Sequence, residues 1–126
     1  MIAYLDTNAV IRLAQGQMRV IGNDAKRLMQ GAELLISPIV LLELEFLYEI
    51  RRIKLPARDI QRKLEHETGL RVCDLPFAAI AAAATEEKWT RDPFDRLIVA
   101  NAKVNGLACL ISADEAIAQH YPRTVW

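Results

Sequence analysis

Short apolar runs alternate with longer amphipathic segments along this chain, and the two periods predict alternating strands and helices. Ile2 to Leu5, Leu34 to Ile36, Arg71 to Asp74 and Ala108 to Ile111 read as strands, with a further short one at Thr124-Val125. Nearly continuous apolar runs suit strands buried on both faces, so the pattern predicts an α/β fold with a parallel sheet, right-handed crossovers and helices on both faces. The helices are clearly punctuated. Asn23-Asp24 opens one that Gly31 closes, and Ser37 before Pro38 supplies a cap and a first-turn proline for a long segment to about Lys54. Pro56 opens the next, and Gly69 ends it. The alanine-rich stretch Phe77 to Glu87 suits a helix pressed closely against its neighbours.

Composition narrows this picture. The chain has 126 residues, 52% of them hydrophobic, enough for one sizeable core, and no linker or repeat marks a second unit, so residues 1–126 are expected to form one domain. No apolar stretch approaches the roughly 20 residues that span a bilayer, and the N-terminus lacks the basic and apolar regions of a secretion signal. A soluble cytoplasmic chain is the expectation, with no membrane partner. Sixteen basic residues balance sixteen acidic ones, so no global field favours nucleic acid, and any such binding must come from local arrangement. The run Arg51, Arg52, Lys54, Arg58, Arg62 and Lys63 reads as a solvated face; Leu41, Leu44, Leu47 and Tyr48 form an apolar stripe that a second copy or a partner is expected to cover in part. Cys73 and Cys109 lie in apolar runs and read as reduced, buried small hydrophobes, and with only His66 and His120 there is no spacing for zinc.

The chemistry lies in the acids. Asp6 ends the first strand, Glu43 lies on the helix after the second, Asp95 falls within Arg91-Asp92-Pro93-Phe94-Asp95-Arg96, and Asp114 follows the strand ending at Ile111. Each has a local explanation. Asp92 is a natural N-cap before Pro93, with Asp95 placed to close a capping box; Ser112 and Glu115 form another box; Asp6 or Thr7 caps the first helix; Glu43 suits a surface. Jointly they say more, because ligands in open parallel sheets bind at the carboxyl ends of the strands, where these acids can converge. Asp6-Thr7-Asn8 offers only hard oxygen donors, which suit Mg²⁺ or Mn²⁺, and a carboxylate set among Leu42 and Leu44 is costly without a partner or cation.

Tyr4-Leu5-Asp6-Thr7-Asn8, Ser37-Pro38 with Glu43, Arg91-Asp92-Pro93-Phe94-Asp95-Arg96-Leu97-Ile98-Val99-Ala100 and Ser112-Ala113-Asp114 resemble, in order and over essentially the whole chain, the PIN-domain nucleases, and most of all the VapC-type toxins of toxin–antitoxin pairs. The resemblance implies a five-stranded sheet of order 3-2-1-4-5 in a three-layer fold. It implies an endoribonuclease using Mg²⁺ or Mn²⁺, with Asp6, Glu43, Asp95 and Asp114 as the catalytic and metal-binding quartet and Asp92, Thr7 and Asn8 as accessory residues. An RNA substrate, a homodimer and a cognate antitoxin that blocks the site follow from the same resemblance. Thr90 stands where many relatives carry histidine. Arg12, Arg91, Arg96 and Asn101 lie near the motifs as candidate contacts to phosphate or antitoxin, or equally as counter-charges to the acids.

Two other classes fit parts of the chain. An aspartyl phosphotransferase or phosphatase uses an aspartate after its first strand, but the phosphatase motif wants a second aspartate at Asn8 and a receiver wants a lysine where Ser112 to Glu115 offer none. A catalytically degenerate binding module is the other, and the complete acidic set argues against it.

Overall fold

A computed structural model describes residues 1–126. The elements run β1 Ile2–Leu5, α1 Thr7–Ala14, a 3-10 turn Met18–Val20, α2 Asn23–Gly31, β2 Glu33–Ile36, α3 Pro38–Glu49, α4 Ala57–Thr68, β3 Arg71–Val72, α5 Phe77–Ala84, α6 Pro93–Val104, β4 Cys109–Ile111, α7 Glu115–His120 and β5 Thr124–Val125. All four pairings are parallel, and the strand order is β3-β2-β1-β4-β5, with seven helices around the sheet. The fold is the expected PIN-like α/β arrangement. β1 is central: Ala3 faces Leu34 on one side and Cys109 on the other, and Leu5 aligns with Ile111. Ala3, Tyr4, Leu5, Leu34, Leu35, Ile36, Leu110 and Ile111 are all buried, as strands covered on both faces must be.

The order places β1 between β2 and β4, the two strands whose following segments carry Glu43 and Asp114. α6 packs on α5 and α3, bringing Asp95 toward the same edge. Boundaries follow local chemistry. α3 stops at Glu49, earlier than the expected Lys54, because the chain turns at Arg51, which adopts a left-handed φ of 63°. Gly69 ends α4 in that conformation at φ 73°, as its position predicts. α5 ends at Ala84, so Glu87 lies beyond the helix. No helix is long and apolar enough to cross a membrane.

Candidate metal centre

Asp6 leaves the buried β1 and caps α1: its Oδ1 accepts from the Ala9 amide at 2.8 Å, and its Oδ2 accepts from the Ser112 hydroxyl. Both donors hold the carboxylate in place, and only 6% of the residue is exposed. Glu43 is half-buried on α3, where the Thr7 hydroxyl donates to its Oε1. Asp114 caps α7, accepting from the Ile117 amide at 3.0 Å. Asp92 caps α6, accepting from Phe94 at 2.8 Å and Asp95 at 3.3 Å. N-cap side chains close α1, α3, α6 and α7; Asp6 and Asp114 are themselves two of these caps, and Glu43 and Asp95 lie on the other two helices.

Two local readings change. Ser112 does not cap α7; Asp114 does, which releases the Ser112 hydroxyl to reach Asp6, 106 residues away. Asp95 does not close a capping box either: the Asp92 amide donates to the Thr90 hydroxyl at 3.2 Å, and the Asp95 carboxylate stays unengaged on the partly buried first turn of α6.

Electrostatics record the convergence. Burial pushes Asp95 up from 3.8 to about 7, with Asp92, Asp114, Glu43 and Asp6 each adding repulsion. Burial also raises Glu43, which the Thr7 hydrogen bond partly opposes and Asp92 and Asp6 reinforce. Asp6 is raised by burial as well; Ser112, Ala9 and Arg12 pull it down, and Asp114 pushes it up. Acids from four distant segments thus share one field. No three of them stand close enough to grip one ion directly. The donor set still fits Mg²⁺, a hard cation that keeps several waters and takes one or two carboxylates, and less so an ion that demands a full protein cage.

The other candidates divide. Thr7 is buried and serves Glu43, while Asn8 is exposed at the start of α1. Arg12 donates to the Val20 carbonyl at 3.3 Å and lies over the Trp126 ring at 5.6 Å, Arg91 donates to the Lys88 carbonyl at 3.2 Å, and Arg96 donates to the Thr90 carbonyl at 2.8 Å. Asn101 is corrected. It is fully buried, and its amide donates to the Tyr4 hydroxyl at 3.0 Å and the Cys73 sulfur at 3.3 Å, so it faces no solvent-borne phosphate. Cys73 is likewise more than a small hydrophobe: it also accepts from Tyr4 at 3.1 Å and from the Leu75 amide at 3.4 Å.

The sequence profile of the PIN domain family matches residues 3–121. The chain belongs to the PIN domain family. No curated protein matches it. Similar solved structures include a toxin–antitoxin complex from Klebsiella pneumoniae, at TM-score 0.66 and 20% identity over 98% of this chain and 96% of that one. VapBC-1 from nontypeable Haemophilus influenzae gives 0.65 and 24% over 100% and 96%. VapBC2 from Rickettsia felis, bound to a DNA fragment from its promoter, gives 0.62 and 21% over 99% and 96%. These likenesses show that the PIN fold extends along the chain.

Proposed function

We propose that this PIN domain is an endoribonuclease dependent on Mg²⁺ or Mn²⁺ and the toxin of a toxin–antitoxin pair. The observation that carries the reading is the shared field at Asp95, raised to about 7 by burial and by four other carboxylates. Such a set is costly as it stands and is relieved by a cation. Asp6, Glu43, Asp95 and Asp114 would hold the ion directly or through water. Bound there, a divalent cation lowers the pKa of water and stabilises charge on a phosphodiester's oxygens. The chain's own groups prepare the site: Ala9 and Ser112 fix Asp6, Thr7 fixes Glu43, and Asp114 and Asp92 stay in place as caps. RNA as substrate, an antitoxin partner and a homodimer are supported by the sequence resemblance, and by relatives of the same fold whose structures are toxin–antitoxin complexes.

The test uses the purified chain with total RNA and defined stem-loops, with Mg²⁺, Mn²⁺ or excess chelator. Cleavage should require the cation and vanish in Asp6→Asn. Cleavage that persists in chelator overturns the metal-dependent reading, and an intact fold with neither cleavage nor calorimetric Mn²⁺ binding points to a degenerate module.

A further inference from the structure

Outside the acidic mouth lies a second buried charge that the proposed chemistry does not use. Glu87 is 4% exposed, in the segment between α5 and α6. Its Oε1 pairs with Lys103 Nζ at 2.6 Å, and its Oε2 accepts from Trp89 Nε1 at 2.8 Å. Trp89 in turn stacks on His120, the last residue of α7, with ring centroids 4.9 Å apart and planes 7° from parallel. Lys103, near the end of α6, lies 5.9 Å from the Tyr121 ring centroid. One strap therefore grips the C-terminal ends of both helices whose N-termini carry Asp92, Asp95 and Asp114.

We propose that Glu87, with Lys103, Trp89 and His120, is a positioning clamp that sets the placement of the α6 acids relative to the α7 acid. The tethers are short. Two residues, Thr90 and Arg91, separate Trp89 from Asp92, three steps of chain and at most ~10 Å; α7 spans six residues, about 9 Å, from Glu115 to His120. Lys103 lies about 12 Å along α6 from Asp95, a distance a helix transmits without bending. Arg96 and Arg91 bind the same strap through the Thr90 and Lys88 carbonyls. Glu87 is buried while the Lys103 side chain keeps 37% of its surface in water, and stability alone is a weak reason for such a pair, because replacing buried ion pairs by apolar residues of similar size is often neutral or stabilising. What this pair adds is a defined geometry, and its use in catalysis, though not the geometry itself, rests on the nuclease reading.

The test is the double variant Glu87→Leu/Lys103→Met, which keeps the volume and removes the charges, compared with Lys103→Arg, which keeps the pair. Amide exchange by NMR on the metal-free protein follows Phe94, Asp95 and Ile117, the amides that Asp92 and Asp114 cap, against Leu110 and Ile111 in the sheet. Calorimetry follows Mn²⁺ binding. We expect the double variant to stay folded, losing only the Trp89 hydrogen bond, yet to exchange the three capped amides several-fold faster with the sheet amides unchanged. Mn²⁺ affinity should fall by about ten-fold, the scale of groups that support metal ligands, and Lys103→Arg should behave as the parent. Should the double variant fail to fold, Glu87→Gln is read the same way. Unchanged capped-amide exchange in a folded variant overturns the clamp. A parent that binds no Mn²⁺ overturns the nuclease reading instead, and the exchange measurement still decides the clamp.

Discussion

Replacing Asp95 by asparagine should stabilise the metal-free protein at pH 8 while abolishing cleavage. The carboxyl is raised from 3.8 to about 7 in the fold, so the native state holds its proton where the unfolded chain has lost it. The contribution of that protonated form is complete below pH 3.8 and is lost as the pH rises through about 7. Metal-free wild-type protein therefore loses stability across that window. Unscreened, the difference corresponds to roughly 4 kcal/mol; the carboxyl is only partly buried, so about half, ~2 kcal/mol, is a fair allowance. The asparagine forfeits the charge that favours a helix N-terminus, about 0.5 kcal/mol, leaving a net gain near ~1.5 kcal/mol.

For a chain of this length that gain is a rise of roughly 5 °C in melting temperature. The assay is thermal unfolding of both proteins in chelator at pH 8 and pH 4. The variant's advantage should be present at pH 8 and absent at pH 4. Excess Mn²⁺ should then reverse the order, adding about 2.7 kcal/mol to the wild type at a hundred times its Kd and little to the variant. An advantage of equal size at both pH values, or none at pH 8, refutes the crowded-carboxylate account.

Ser112→Ala deprives buried Asp6 of one of its two donors and should cost about 1–3 kcal/mol at pH 8, read by chemical denaturation. A loss below about 0.5 kcal/mol would show that Asp6 does not need the hydroxyl. Tyr4→Phe removes the oxygen that joins Cys73, Asn101 and Asn105, leaving Asn101 only its Cys73 contact and half-buried Asn105 without this acceptor, and should cost a similar ~1–3 kcal/mol without a change in denaturant slope.

Much of the fold was legible because its signals are local. Ile2–Leu5 and Thr124–Val125 are strands over the residues expected, and Ser37-Pro38, Asp92-Pro93 and Gly69 mark helix ends as their chemistry dictates. The order β3-β2-β1-β4-β5 came from resemblance, since periodicity does not rank strands in a sheet. What stayed hidden was long-range pairing. Ser112 fits a capping box as well as it fits a carboxylate donor, and only the competing cap from Asp114 decides between them. Asn101 is a lone polar residue in the apolar run Leu97 to Ala102, and its inward partner, the Tyr4 hydroxyl, lies 97 positions away. Glu87 looked like the end of an alanine-rich helix, and its partners Lys103 and Trp89 have no spacing that would mark them.

The capping roles and the proposed site do not compete, because they use different oxygens and different charges. Asp6, Asp92 and Asp114 each give one oxygen to a helix N-terminus, where hydrogen-bond donors and the positive end of the dipole stabilise the ionised form. Glu43 has the Thr7 hydroxyl. Asp95 alone among the five receives no hydrogen bond on its carboxylate, and it is the acid raised to about 7, where a proton or a cation is the remaining way to balance its charge. Cation binding must then displace a proton from Asp95 below about pH 7, and the raised Glu43 and Asp6 add to the same competition, so Mn²⁺ affinity should weaken in acid, and Asp95→Asn should lessen that pH dependence in whatever binding remains.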